Sequence, residues 1–315
     1  MRLLIATALV IAQAGSPIFR FETDGFWLNL HHYLYVLGRA QNGAPDIKRR
    51  AVENAPADQA EGLKSASEAE RQAWGDAVTF YAAGLSKQDA VFTRPLIAAT
   101  NALRVAPDTP STALKVDASL RDTLERAAPV YRRIWWPSHQ ESNHERAREY
   151  SELLAQHGSR VLGYITRAYQ ATWPSGGFVI NLSGYSNWAG AYSTDGDLIV
   201  ISSLDRDSRG SLGLESMFHE AMHQWDQPML ARLSRLSKAH QTAPPREGIT
   251  HALIWYTAAA AVKSVFPGHV GYAERGGMWK QKVLGGFKPG LDTHWQPYLA
   301  GKGTLDEALL ALLKS

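Results

Sequence analysis

The 315-residue chain contains no cysteine. It therefore holds no disulfide, and an N-terminal lipid anchor through a cysteine is excluded. Charge of one sign is also lacking. The formal balance is only +3 and no long Lys/Arg run occurs, so Lys48-Arg49-Arg50 and Arg132-Arg133 read as solvated faces and no nucleic-acid partner is expected. A pI near 9.0 hints weakly at attraction to anionic surfaces. Beyond the first residues no apolar stretch is long enough to span a bilayer, and no internal repeat is visible. What remains, 45% hydrophobic and 20% charged, is the composition of an ordinary soluble globular protein with one large core or two modest ones.

The beginning of the chain suggests a compartment. Met1-Arg2 is a short positive start, Leu3 to Ala12 is largely apolar, and Ala12-Gln13-Ala14 has the Ala-x-Ala form of a cleavage site before Gly15. Residues 1–14 are thus expected to be a cleaved signal peptide, with a secreted or bacterial periplasmic mature chain and no integral membrane segment left after cleavage.

Residues 15–173 read as a helical N-terminal subdomain. Phe21 to Ala40 carries a broad apolar face, and Ala66 to Leu85 has a serine cap and acidic first turn. Asp89 to Val105, Asp117 to Arg133 with Pro129 as a kink or stop, and Ser138 to Trp173 with an interruption near Gly158 continue the pattern. His31-His32 cannot share one helical face, and His139 and His144 are five apart, so neither is a chelating pair by spacing.

The character changes over residues 174–315. Gly177–Leu182, Gly190–Thr194 and Leu198–Ser202 are strand-like, with Thr194-Asp195-Gly196-Asp197 a hairpin turn. Then comes Leu214-Glu-Ser-Met-Phe-His-Glu-Ala-Met-His-Gln-Trp-Asp226. Apolar residues at three-four spacing predict a helix with a buried side, with Gly210 and Gly213 as punctuation upstream. His219 and His223 lie one turn apart on one face and can offer two imidazole nitrogens to one zinc ion. Glu220, next to the first of them, can take the proton of an attacking water.

These residues resemble the zincin superfamily of zinc metallopeptidases over roughly Phe178 to Tyr272. The resemblance implies an α+β fold, predominantly helical, with a small antiparallel sheet packed on the His-Glu-x-x-His helix. It also implies that the edge strand, here Gly190 to Ser193, holds a peptide substrate, that Zn2+ is the cofactor, and that a third protein ligand exists. The metzincin pattern is not met, since Asp226 and Met229 stand at its Gly and His positions. His223-Gln224-Trp225 looks gluzincin-like, although Thr242 and Ala243 stand where the gluzincin Glu falls.

Downstream, Pro244 to His251 opens a helix that runs to about Val265. Glu247 and His251 share one of its faces. His251 is the preferred third ligand because it is expected a full turn inside the helix, with Glu247 the alternative. Glu215 or Asp226 could orient a ligand imidazole. Tyr272 is the candidate oxyanion donor, with His269 in reserve. The expected function is an exported zinc-dependent metallopeptidase with Glu220 as general base and a peptide or protein as its partner. The alternative is an exported, non-catalytic binding or scaffold protein on the same fold, with a structural metal.

Overall fold

A computed structural model of the protein describes residues 17–44, 52–106, 108–194, 198–281 and 284–315. The candidate signal segment 1–14, the Lys48-Arg49-Arg50 run and most of the expected hairpin turn lie outside the described residues. Among those residues no helix is long and apolar enough to cross a membrane.

The chain is α+β and mostly helical. A first strand, β1 (Phe19–Glu22), leads into α1 (Phe26–Gln41). The expectation of one helix from Phe21 is thereby corrected: Phe21 belongs to the strand, and the helix begins only after Gly25. Residues 26–38 of α1 are all buried, including Asn29, His31 and His32, so it is a central helix surrounded by others. Around it stand α2 (Ala55–Leu63), α3 (Glu68–Ala83), α4 (Arg94–Arg104) and α5 (Ala118–Ile134). A capping box of Ser67 and Glu70 starts α3, and Asp117 caps α5 by accepting from Leu120 N at 2.9 Å. Pro129 does not stop α5, which runs through it to Ile134. Next, α6 (Trp136–Leu153) passes through a π-helical turn at Leu154–Gly158 into α7 (Ser159–Tyr169).

Two apolar cores follow from this arrangement. One gathers Trp74, Tyr131, Trp135 and the buried side of α1. The other gathers the sheet, α7 and the helices that follow it. Val161, Ile165, Ala168 and Tyr169 of α7 join this second core, so the change of core falls within α6 and not at residues 173/174.

The sheet gives one face to the second core. Its strands β2 (Phe178–Ser183), β3 (Ala191–Thr194) and β4 (Leu198–Ser202) take the order β1-β2-β4-β3. The expected antiparallel sheet is corrected to a mixed one. β1 runs parallel to β2 with Phe19 opposite Phe178, β2 runs parallel to β4, and only the edge strand β3 is antiparallel to β4. The reason is visible in β4, Leu-Ile-Val-Ile-Ser, which is buried along its whole length as an interior strand covered on both faces must be. Ile199 and Ile201 enter the second core, whereas Leu198 and Val200 pack with Tyr192 and Val91 on the opposite face.

Against the sheet lies α8 (Gly210–Met222), followed by one 3-10 turn at His223–Trp225 and then α9 (Asp226–His240). Gly210 and Gly213 are inside α8 rather than ahead of it. Gly213 permits close approach: a Cβ there would sit 2.6 Å from the Ser208 carbonyl oxygen and from the Tyr150 ring. Fully buried Leu214, Met217 and Phe218 fix the helix onto the second core, each contributing about 1.5–3 kcal/mol. α10 (Ile249–Lys263) packs on α8. It is followed by α11 (Tyr272–Arg275), α12 (Lys288–Gly290), α13 (Gln296–Leu299) and α14 (Leu305–Lys314).

Candidate metal centre

The last turns of α8 carry His219 and Glu220, and His223 begins the 3-10 turn beyond it. The two imidazoles still lie one above the other, with ring centroids 5.0 Å apart. The third comes from α10. Gly248 adopts φ 81°, a left-handed conformation that glycine takes without strain, and so sets the helix start at Ile249. His251 is thus the third residue of α10, in its first turn and not a full turn inside as expected. Glu247 stays exposed in the turn before the helix.

His219, His223 and His251 form a group in which one nitrogen from each lies within 4.8 Å of the others. His219 Nε2 and His251 Nε2 are 3.3 Å apart. Two nitrogens on a tetrahedral zinc with ~2.0–2.1 Å bonds are separated by about 3.3 Å, so this pair stands as such ligands stand. His219 Nδ1 is buried with no partner, and the Trp255 ring lies over the imidazole at 3.6 Å. Of the two acids expected beside a grouped imidazole, Asp226 makes the contact: its Oδ2 lies 2.6 Å from His223 Nδ1, where a carboxylate favours a proton on Nδ1.

Electrostatics favours neutral rings at two of the three positions. Burial, and then the neighbouring His223, hold His251 down to about 4. Burial together with His223 and His251 pushes His219 well below the usual imidazole range. At His223 burial also opposes charge, but the Asp226 hydrogen bond and the Glu220 carboxylate outweigh it and raise its pKa. Neutral imidazole is the form that binds a metal, so the set fits zinc.

Glu220 is 7% exposed, and burial raises its pKa although His223 and a hydrogen bond from Ser193 pull the other way. That bond runs from Ser193 Oγ to Glu220 Oε2 at 2.9 Å. It joins the edge strand to the candidate general base. Tyr272 stacks on Trp255 at 5.3 Å, one ring removed from His219, and its hydroxyl donates to the Ala189 carbonyl at 3.2 Å, just before β3.

Glu215 serves a different purpose from the one expected of it. Its carboxylate, fully buried, accepts from the backbone N–H of Tyr272 at 3.0 Å and pairs with His269 Nε2 at 2.7 Å. It therefore fixes the loop that delivers Tyr272 and orients no grouped imidazole. His269 has its other nitrogen 2.9 Å from Ser211 Oγ, so both ring nitrogens are engaged. Trp255 and the side chain of Ser193 were missed at the level of sequence. Trp255 stands four residues after His251 on the same face of α10, and that spacing could have pointed to it.

Comparison with protein-family models, with curated proteins and with solved structures found no match to this chain.

Proposed function

We propose that this chain is an exported zinc-dependent metallopeptidase, similar to the zincins, in which His219, His223 and His251 hold the metal and Glu220 is the general base. One observation carries the reading. One buried imidazole, His219, and two half-buried ones, His223 and His251, each bring a nitrogen to one group, with the buried Glu220 carboxylate next to His219 on α8. Bound there, zinc supplies Lewis acidity, bringing a water's pKa towards ~7 and polarising the scissile carbonyl.

The chain's own residues do the rest. Asp226 keeps the His223 proton on Nδ1 and thereby fixes which nitrogen faces the metal. Glu220, with its pKa raised by burial, accepts a proton from the attacking water and passes it to the leaving amine. Tyr272, held by Glu215 and Trp255, exchanges its bond to Ala189 for one to the developing oxyanion. The open edge of β3 receives the substrate backbone by strand addition. Residues 1–14 direct the chain out of the cytoplasm.

The test is cleavage of a peptide library by the mature chain, with and without a chelator. Chelator-sensitive cleavage that zinc restores supports the proposal. Stoichiometric zinc with no cleavage of any peptide supports the scaffold alternative instead.

A further inference from the structure

Strand β3 is held from both faces of the sheet by consecutive residues. Side chains alternate along a strand, so Tyr192 and Ser193 point to opposite sides. Tyr192 lies opposite Val200 and faces the helical half, where its hydroxyl is 2.7 Å from His32 Nε2 on α1. Ser193 lies opposite Ile199 and faces α8, where it donates to Glu220. A continuous path therefore leads from the centre of the helical half, through the sheet, to the candidate base.

The far end of this path is deeply buried. His32 is 1% exposed, and its neighbour His31 is tied through Nδ1 to the Tyr81 hydroxyl on α3 at 2.8 Å. His31 Nε2 lies 3.3 Å from the Thr100 hydroxyl on α4. β3 itself is four residues long, at the sheet edge, and two of its side chains are the small Ala191 and Ser193. A four-residue edge strand has few ladder bonds to hold its register, and a slip of one residue would turn Ser193 away from α8. The buried Tyr192–His32 bond removes that freedom.

We infer that the helical half is a positioning element of the site: His32, through Tyr192, fixes β3 so that Ser193 holds Glu220 Oε2 and leaves the other carboxylate oxygen to move the proton. The Ser193 part rests on the peptidase reading above; the clamp on β3 does not. His32, Tyr192 and Ser193 act through Glu220 and are positioning residues. The helical half is on this account neither an inhibitory segment nor a separable docking surface.

Two measurements test it. The first is hydrogen exchange of the metal-free protein with Tyr192→Phe, which keeps the ring among Leu198, Val200 and Val91 and deletes only the hydroxyl; His32→Gln serves as the second variant. Loss of one buried hydrogen bond is expected to speed exchange over residues 191–194 and 198–202 about tenfold and leave α8 and α10 unchanged. Unchanged rates in both variants overturn the clamp, whatever becomes of the peptidase reading.

The second uses the cobalt-loaded protein with acetohydroxamate as probe, alongside cleavage of a fluorogenic peptide taken from the library digest. Ser193→Ala should weaken acetohydroxamate binding and lower kcat each about tenfold at unchanged KM and unchanged cobalt affinity, with Ser193→Thr restoring both. Wild-type behaviour in Ser193→Ala overturns the positioning role. A wild-type protein that binds no cobalt overturns the peptidase reading and the Ser193 part with it, and the exchange result then stands alone for the clamp.

Discussion

The histidines of the helical half and the His219, His223 and His251 group are partnered in different ways. In the helical half the buried imidazoles meet hydroxyls and a carboxylate, and of their ring nitrogens His32 Nδ1 alone has no hydrogen-bond partner. His31 meets the hydroxyls of Tyr81 and Thr100, His32 meets Tyr192, and His139 lies between Tyr131 and Asp58. Across the sheet, His219 and His251 turn Nε2 atoms toward one another, and His223, whose Nδ1 meets Asp226, offers one nitrogen to the same group. Buried polar groups find hydrogen-bond partners as a rule. A set whose nitrogens converge on each other could hold a cation.

Several changes break or sharpen this contrast. The largest effect is expected from Glu220→Gln, which keeps the shape of the side chain and removes its basicity. Zinc should stay bound while turnover falls by about 10²–10⁴-fold, read from peptide cleavage alongside metal content. Undiminished turnover removes Glu220 from the scheme.

Next comes acid sensitivity of the helical half. Burial pulls the His31 pKa down to about 4 from its ordinary 6.5. Between those two values the unfolded chain takes up a proton that the folded chain refuses. Stability is therefore complete above about pH 6.5 and falls as pH drops, reaching its full loss below the folded pKa. For His31 alone that loss amounts to about 3 kcal/mol. Urea melts of the metal-free protein at pH 7 and pH 5 should show a steeper loss for wild type than for His31→Gln, and parallel losses would contradict the assignment.

A smaller change is expected across the sheet. Asp226→Asn should weaken zinc binding about 10–100-fold without unfolding the chain, as loss of a group that orients a metal-binding histidine does. Competition with a chromogenic chelator measures it. The smallest effect belongs to Glu247→Ala, for which zinc affinity should match wild type because the carboxylate is exposed and stands before α10. A large loss in that variant would transfer the third-ligand role from His251 to Glu247.

How much of this was legible in the sequence depended on how local each feature is. The His219, Glu220 and His223 cluster and the Asp226 contact lie within eight residues on one helical path, where periodicity alone places side chains. The three strands from 178 to 202 were legible for the same reason. β1 was not. Its partner β2 begins at Phe178, far along the chain, and Phe21 followed by an apolar run reads equally well as the start of a helix. The parallel pairing of β2 with β4 was hidden because the intervening β3 takes the edge position. A four-residue spacing could not separate Glu247 from His251; in the structure α10 starts after Gly248, and it is His251 that groups with His219 and His223. The Ser193–Glu220 bond depends on the register of an edge strand, which local sequence does not encode.

Zinc titration of the metal-free protein, comparing wild type with His251→Ala, addresses the central claim most directly. Wild type should bind one equivalent tightly, and His251→Ala should lose at least about a hundredfold in affinity as one of three protein ligands disappears. A wild-type chain that binds no stoichiometric zinc, or a His251→Ala variant that binds it as well as wild type, would contradict the account.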